Sequence, residues 1–159
     1  MTLSNALRVL LIPLLVVVTQ ASAGQDHIVL TVTDSGGTSV DYDLAALEAM
    51  DSTNLLTHTS WTDGLQRFTG VRASLLLAAV EQPGASVRAL ALNDYEIRMS
   101  VKDLTDYPVI IAYKRNGEYM AIRDKGPLWI IFPQDDHPEL TGLETDQKMV
   151  WQLRQLVVE

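Results

Sequence analysis

Short β-branched and apolar runs, each ended by turn residues, fill the chain from Ile28 to Val158, and this punctuation constrains the fold more than any other feature. Ile28–Thr33, Thr38–Tyr42, Leu55–Thr59, Val87–Leu92, Glu96–Met99, Val109–Tyr113, Tyr119–Ile122, Leu128–Phe132 and Val150–Val158 read as strands. Asp34-Ser35-Gly36-Gly37 and Asn116-Gly117 between them read as hairpin turns. The predicted helices are short: Leu44–Met50 capped by Asp43, Ala73–Val80 ended by Pro83-Gly84, and one turn at Val101–Leu104. Strands outnumber helices, several connections are hairpins, and there is neither repeat nor linker, so the expected class is α+β. No strand passes through a Gly-rich loop into a long helix, which argues against a dinucleotide-binding fold.

With 159 residues, 47% of them hydrophobic, the chain has enough apolar material for one core. The formal net charge of −8 argues against nucleic acid as a partner, since phosphate binding needs clustered Lys and Arg. There is no cysteine, which excludes thiolate nucleophiles, disulfides, iron–sulfur clusters and thiolate-bound metals together. Stability must therefore come from packing alone.

The first residues differ from the rest. Met1–Ser22 holds one charge, Arg8, followed by the apolar run Val9–Val18 and then Ala21-Ser22-Ala23. A short positive region, an apolar run and a small-x-small site predict a signal peptide over residues 1–23, with the domain over 24–159. An uncleaved anchor is the alternative, but the run is shorter than the roughly 20 residues that a spanning helix needs. A periplasmic location is the expectation.

Catalytic signatures are scarce. His27, His58 and His137 are far apart and form no helical metal pair. Asp135-Asp136-His137-Pro138-Glu139 reads as a solvated acidic loop before it reads as a cation site. No Gly-x-Ser-x-Gly elbow is present, and neither Ser60 nor Ser74 has an evident base. No catalytic residue and no metal ligand is assigned. Aromatic and polar residues do collect where strands end: Trp61 in a polar loop, Tyr95 after Asn93-Asp94, Trp129 after Gly126-Pro127, with Arg72, Arg123 and Lys125 at similar points. Such a set suits a flat heterocycle, stacked by the rings and read at its edge by Asn93, Asp94 or a backbone amide. The plainer alternative is that Trp129 and Trp151 are core residues, and the alternating run around Trp151 favours that for it.

The order of segments resembles a known family. Phe68-Thr69-Gly70-Val71-Arg72-Ala73-Ser74-Leu75-Leu76 is similar to the "f-x-G-V-x-l-x-x-L-L" segment of the sulfite-oxidase-type molybdopterin-binding domain. Ala91–Met99 follows at the expected distance, and Ile110–Glu118 resembles the family's "l-l-A-y-x-x-N-G-e" strand and turn. Gly126–Pro133 resembles "G-x-P-l-r-l-v-x-P", and Val150–Leu153 the final "v-k-W-l". The resemblance covers nearly all of residues 24–159 and implies a sulfite-oxidase-like mixed sheet, barrel-like at its core, with short helices.

The departures bear on function. Molybdenum-dependent members of that family hold the metal through a cysteine upstream of the Gly-Val segment, where this chain reads Thr57-His58-Thr59-Ser60-Trp61-Thr62-Asp63-Gly64. Two positions where the family carries basic residues for the cofactor's phosphate are occupied by Trp129 and Val150. That pattern disfavours molybdopterin but leaves room for a phosphate-free pterin. It resembles a narrower group, small exported pterin-binding proteins without the molybdenum ligand, which share the Asn93–Tyr95 and Lys125–Ile131 segments. This resemblance implies a non-catalytic protein that binds a reduced pterin, and the residues expected to hold it are Trp61, Tyr95 or Trp129 as stacking rings and Asn93, Asp94 and Arg72 or Arg123 at the pyrimidine edge, with Lys125 nearby. It further implies a protein partner, the periplasmic domain of an inner-membrane cyclic-di-GMP enzyme. Two alternatives stay open: a molybdopterin-dependent oxidoreductase with His58 or Ser60 as metal ligand, and an interaction module whose pocket is filled by its own side chains.

Overall fold

The computed structural model describes residues 27–80 and 84–159; the expected signal peptide, residues 1–23, lies outside them. β1 (Ile28–Thr33) and β2 (Ser39–Asp43) form the first hairpin. Leu30 and Val32 of β1 are buried and alternate with less buried neighbours, as a strand covered on one face requires. In the turn, the buried Asp34 carboxylate accepts the Gly36 and Thr38 backbone N–H groups at 2.9 and 2.8 Å, so its burial is offset by local bonds. Asp43 accepts from the Ala46 N–H at 2.6 Å and starts α1 (Leu44–Ala49), which buries Leu47.

The remaining elements are β3 (Ser52–Thr57), β4 (Gln66–Arg72), α2 (Ala73–Ala78), β5 (Ser86–Ala91), β6 (Glu96–Ser100), α3 (Val101–Thr105), β7 (Ile110–Arg115), β8 (Glu118–Tyr119), β9 (Trp129–Ile131), α4 (Leu143–Lys148) and β10 (Leu153–Val158). They make two sheets, a mixed one in the order β2-β1-β10-β5-β6 and an antiparallel one in the order β3-β4-β7-β8 with β9 also on β7. β1 and β10 run parallel, and the neighbouring pairs around them are antiparallel. In β7, Ile110 to Tyr113 are all buried, which is why that stretch is continuously apolar and not alternating. The architecture is α+β, as the punctuation of the sequence predicts.

Several elements differ from expectation, β4 among them, since no strand is predicted over Gln66–Arg72. The strand predicted at Tyr119–Ile122 ends at Tyr119, because Ala121 carbonyl accepts the Asp124 and Gly126 N–H groups and coils Ile122–Asp124 into a 3-10 turn. The strand predicted over Val150–Val158 begins only at Leu153. Val150 and Trp151 belong to the other sheet: Val150 carbonyl accepts the Ile130 N–H at 3.0 Å, and Trp151 bridges Trp129. Gln152 then takes a left-handed conformation (φ 53°), and the chain leaves β9 to enter β10. Alternation alone does not register such a reversal. Finally, α4 was not anticipated.

β3 also stops two residues early, at Thr57. There Asp135 replaces a strand partner: its Oδ1 accepts the His58 N–H at 2.9 Å and the Thr57 hydroxyl at 3.2 Å, and Oδ2 meets His58 Nδ1 at 2.8 Å. The bond from the His58 N–H, more than any other contact, holds the Asp135 carboxyl below its ordinary pKa. A depressed carboxyl contributes stability that is present above the unfolded value near 3.9 and is lost as pH falls through the lower folded value. Asp135→Asn is expected to lower stability at neutral pH by about 0.5–1 kcal/mol, discounted for the exposure of the group. Urea denaturation from pH 7 to pH 2 checks this, and the gap between the two proteins should close at the acid end.

Gly70 sits at the irregularity where β4 crosses β7. A Cβ there would lie 2.2 Å from the Ile111 carbonyl oxygen and 2.6 Å from Ala112 Cα, both backbone atoms that cannot step aside cheaply. Gly70→Ala is therefore expected to cost about 3 kcal/mol or more. Chemical denaturation with an unchanged m-value is the check, and a loss below about 0.5 kcal/mol would contradict the packing described.

Candidate functional site

Three separate pieces of chain converge on one cavity of about 280 Å³. Trp61 comes from the loop between β3 and β4, Asn93 and Tyr95 from the β5–β6 turn, Leu143, Asp146 and Gln147 from α4, and Met149, Val150 and Trp151 from the crossing that leads into β10. The lining is mostly apolar, and Asp146 is its one charged residue.

The aromatic walls are fixed from behind. Trp61 meets Trp151 edge to face, with ring centroids 5.0 Å apart and planes at 72°. Trp151 in turn stands at 87° to Trp129, and Trp129 at 86° to Phe68. Edge-to-face contacts of this kind are the favoured aromatic arrangement. Trp129 is 0% exposed, and its indole N–H donates to the Met149 carbonyl at 2.9 Å. On Trp151 the Lys125 ammonium lies 4.7 Å from the ring centroid, a cation–π contact. The rings form a continuous series from the core to the cavity.

Hydrogen bonds tie the walls to one another. Trp61 is 39% exposed and donates its indole N–H to the Asp146 carbonyl at 3.3 Å. Tyr95 is 43% exposed, and its hydroxyl donates to the Gln147 carbonyl at 3.0 Å. Ser60 donates to Asp146 Oδ2 at 2.7 Å, while Gln134 donates to Asp146 Oδ1 at 3.0 Å. Each contact spans more than ten residues of sequence. The β5–β6 turn is shaped by Asn93, whose side-chain oxygen accepts the Tyr95 N–H at 3.2 Å, and by Asp94 in a left-handed conformation.

Of the residues expected at a site, the structure brings Trp61, Asn93 and Tyr95 to this cavity. Trp129 lies behind Trp151 in the core, and Lys125 touches both of those rings. Asp94 faces away to an ion pair with Arg154 at 3.4 Å, and Arg123 is exposed beside Asp124. Arg72 ends β4, with a buried Nε that has no hydrogen-bond partner among the described residues. Trp151, which alternation assigned to the core, lines the cavity because its segment belongs to the β9 edge. Asp146 and Gln147 were missed with α4. The available signal was Gly142 followed by Glu144 and Lys148 at helical spacing, a pair that closes at 2.8 Å.

The donor set can be tested against the molybdopterin that the sequence resemblance implies. No basic residue lines the cavity, its one charge is a carboxylate, and the chain has no cysteine. A phosphorylated, anionic cofactor would meet Asp146 without a lining cation to offset it, so the residues present do not fit that group. Ser60 and His58, the alternative metal ligands, are bound to two different carboxylates, Asp146 and Asp135. Among the described residues, no group of three or more His, Asp or Glu side chains is placed to hold a metal ion.

No protein-family model matches the chain, and no curated protein matches it. Among solved structures it is similar to the sulfane dehydrogenase SoxCD from Paracoccus pantotrophus, with a TM-score of 0.62 and 18% sequence identity. The match covers 85% of this chain and 39% of that one, so the chain spans about two-fifths of the enzyme's length. At that identity the likeness carries the fold alone: an α+β arrangement of the sulfite-oxidase-like kind.

Proposed function

We propose that this chain is an exported, non-catalytic protein that binds a reduced pterin in the cavity walled by Trp61, Tyr95 and Trp151. The single observation that carries the reading is the convergence of those rings on a small, mostly apolar cavity without a basic lining residue. At about 280 Å³ it lies just below the roughly 300–1,000 Å³ usual for drug-sized ligands, which suits one fused bicycle better than a dinucleotide. Trp61 comes from the very loop where the resemblance expects the metal-binding cysteine, and Val150 stands where it expects a phosphate-holding lysine. A flat, uncharged ring is the ligand such replacements favour.

Magnitudes are consistent with useful affinity. Micromolar binding requires about 8 kcal/mol. Two ring stacks at about 1–3 kcal/mol each supply up to roughly 6, and the pyrimidine edge adds polar contacts worth about 1 kcal/mol apiece. Reading of occupancy by the periplasmic domain of a membrane cyclic-di-GMP enzyme completes the proposal, on the strength of the resemblance described above. Leu143, 71% exposed at the cavity wall, leaves an apolar contact available on the outer side.

Titrating 6-methyltetrahydropterin into residues 24–159 under anaerobic, reducing conditions tests the binding. A micromolar dissociation constant is expected, weakened roughly 5–150-fold in Trp61→Ala, the equivalent of about 1–3 kcal/mol of stacking. No binding at several hundred micromolar, with the protein folded, would defeat the reading.

A further inference from the structure

We infer that Asp146 reads the 2-amino-4-oxopyrimidine edge of the bound ring, an inference that rests on the pterin reading above and names the group that gives it specificity. Asp146 is 9% exposed and is the one carboxylate at an otherwise neutral cavity wall. Its two protein partners, the Ser60 hydroxyl and the Gln134 amide, are both neutral donors, one on each carboxylate oxygen. A carboxylate offers about four acceptor positions, so roughly half of its capacity is unused by these bonds. Burying such a group is costly unless further donors meet it. Neighbouring N–H groups on a flat ring, such as N3–H and the 2-amino group of a pterin, are donors of the right kind and spacing for a carboxylate.

Asp146 is also held in place by its neighbours. Ser60 and Gln134 orient the carboxylate, and the Asp146 carbonyl accepts the Trp61 indole N–H. Edge recognition and ring stacking are therefore linked through one residue. The arginines Arg72 and Arg123 do not line the cavity, which leaves edge reading to acceptors and not to cations. Guanine carries the same edge as a pterin, so the chemistry has two sources that must be told apart.

The experiment compares three probes by calorimetry in anaerobic buffer: 6-methyltetrahydropterin, its 2-oxo analogue 6-methyltetrahydrolumazine, and guanosine. Each is titrated into the wild-type protein and into Asp146→Asn, whose fold is checked by its urea midpoint. Wild type should prefer the 2-amino pterin over the 2-oxo analogue by roughly 10–100-fold, the worth of a charge-assisted bond. Asp146→Asn should lose about that factor for the 2-amino compound and with it the preference. Equal affinity of the wild type for the two pterins overturns the inference and leaves the pterin reading standing. So does a folded Asp146→Asn protein that binds the 2-amino pterin within about two-fold of wild type. Guanosine binding more tightly than the pterin, with the same dependence on Asp146, upholds the inference and overturns the pterin reading. Failure of all three probes to bind overturns both. If Asp146→Asn does not fold, the comparison of probes on the wild type decides alone.

Discussion

At Gln152 one left-handed residue carries the chain from one sheet into the other. Up to Trp151 the chain is bonded to β9 of one sheet; from Leu153 onward it is β10, the central strand of the other. Gln152 sits between them with φ at 53°, a conformation that costs energy for any residue with a side chain. Three bonds hold it there: its N–H to the Lys125 carbonyl at 3.0 Å, its side chain to the Ile122 carbonyl at 2.8 Å, and its carbonyl from the Leu92 N–H at 2.8 Å. The crossing joins the two sheets and at the same time turns Trp151 out of the strand alternation to face the cavity. Its neighbours Lys125 and Leu92 belong to the segments that flank the site, so sheet pairing and cavity shape share the same backbone atoms.

Aromatic packing carries that constraint outward. Phe68, Trp129, Trp151 and Trp61 stand edge to face in sequence, from fully buried to more than a third exposed. Each ring limits the rotation of the next, and the outermost is pinned by its bond to the Asp146 carbonyl. A ring that binds between such walls loses its own freedom but orders little of the protein, which favours binding. The same arrangement explains why Trp129 matters without touching the cavity: it is the support against which Trp151 is set.

Most of the scaffold was legible in the sequence because it rests on local rules. The Asp34 turn, the Asp43 cap, the Asn116-Gly117 hairpin and the continuous apolar run of β7 all follow from neighbours within a few residues. The site was legible only in part, because it rests on distant ones. Trp61 and Tyr95 stood out as aromatics in polar surroundings, and the structure places both at the cavity. Asp146 did not stand out, since its partner Ser60 lies 86 residues away and no local pattern announces the contact. Trp151 was misread for a complementary reason. Its alternating neighbours are real, but a single left-handed residue at Gln152 hands the pattern from one sheet to another.

On the proposed reading a planar heterocycle sits in the cavity walled by Trp61, Tyr95 and Trp151, beside the crossing that joins the sheets. Intermolecular nuclear Overhauser effects between 6-methyltetrahydropterin and the tryptophan side chains test it most directly. Contacts are expected from the pterin methyl and ring-methylene protons to the indole protons of Trp61 and Trp151, and none to buried Trp129. Contacts confined to another surface, such as the cleft lined by His27, Ile122 and Arg154, would contradict it.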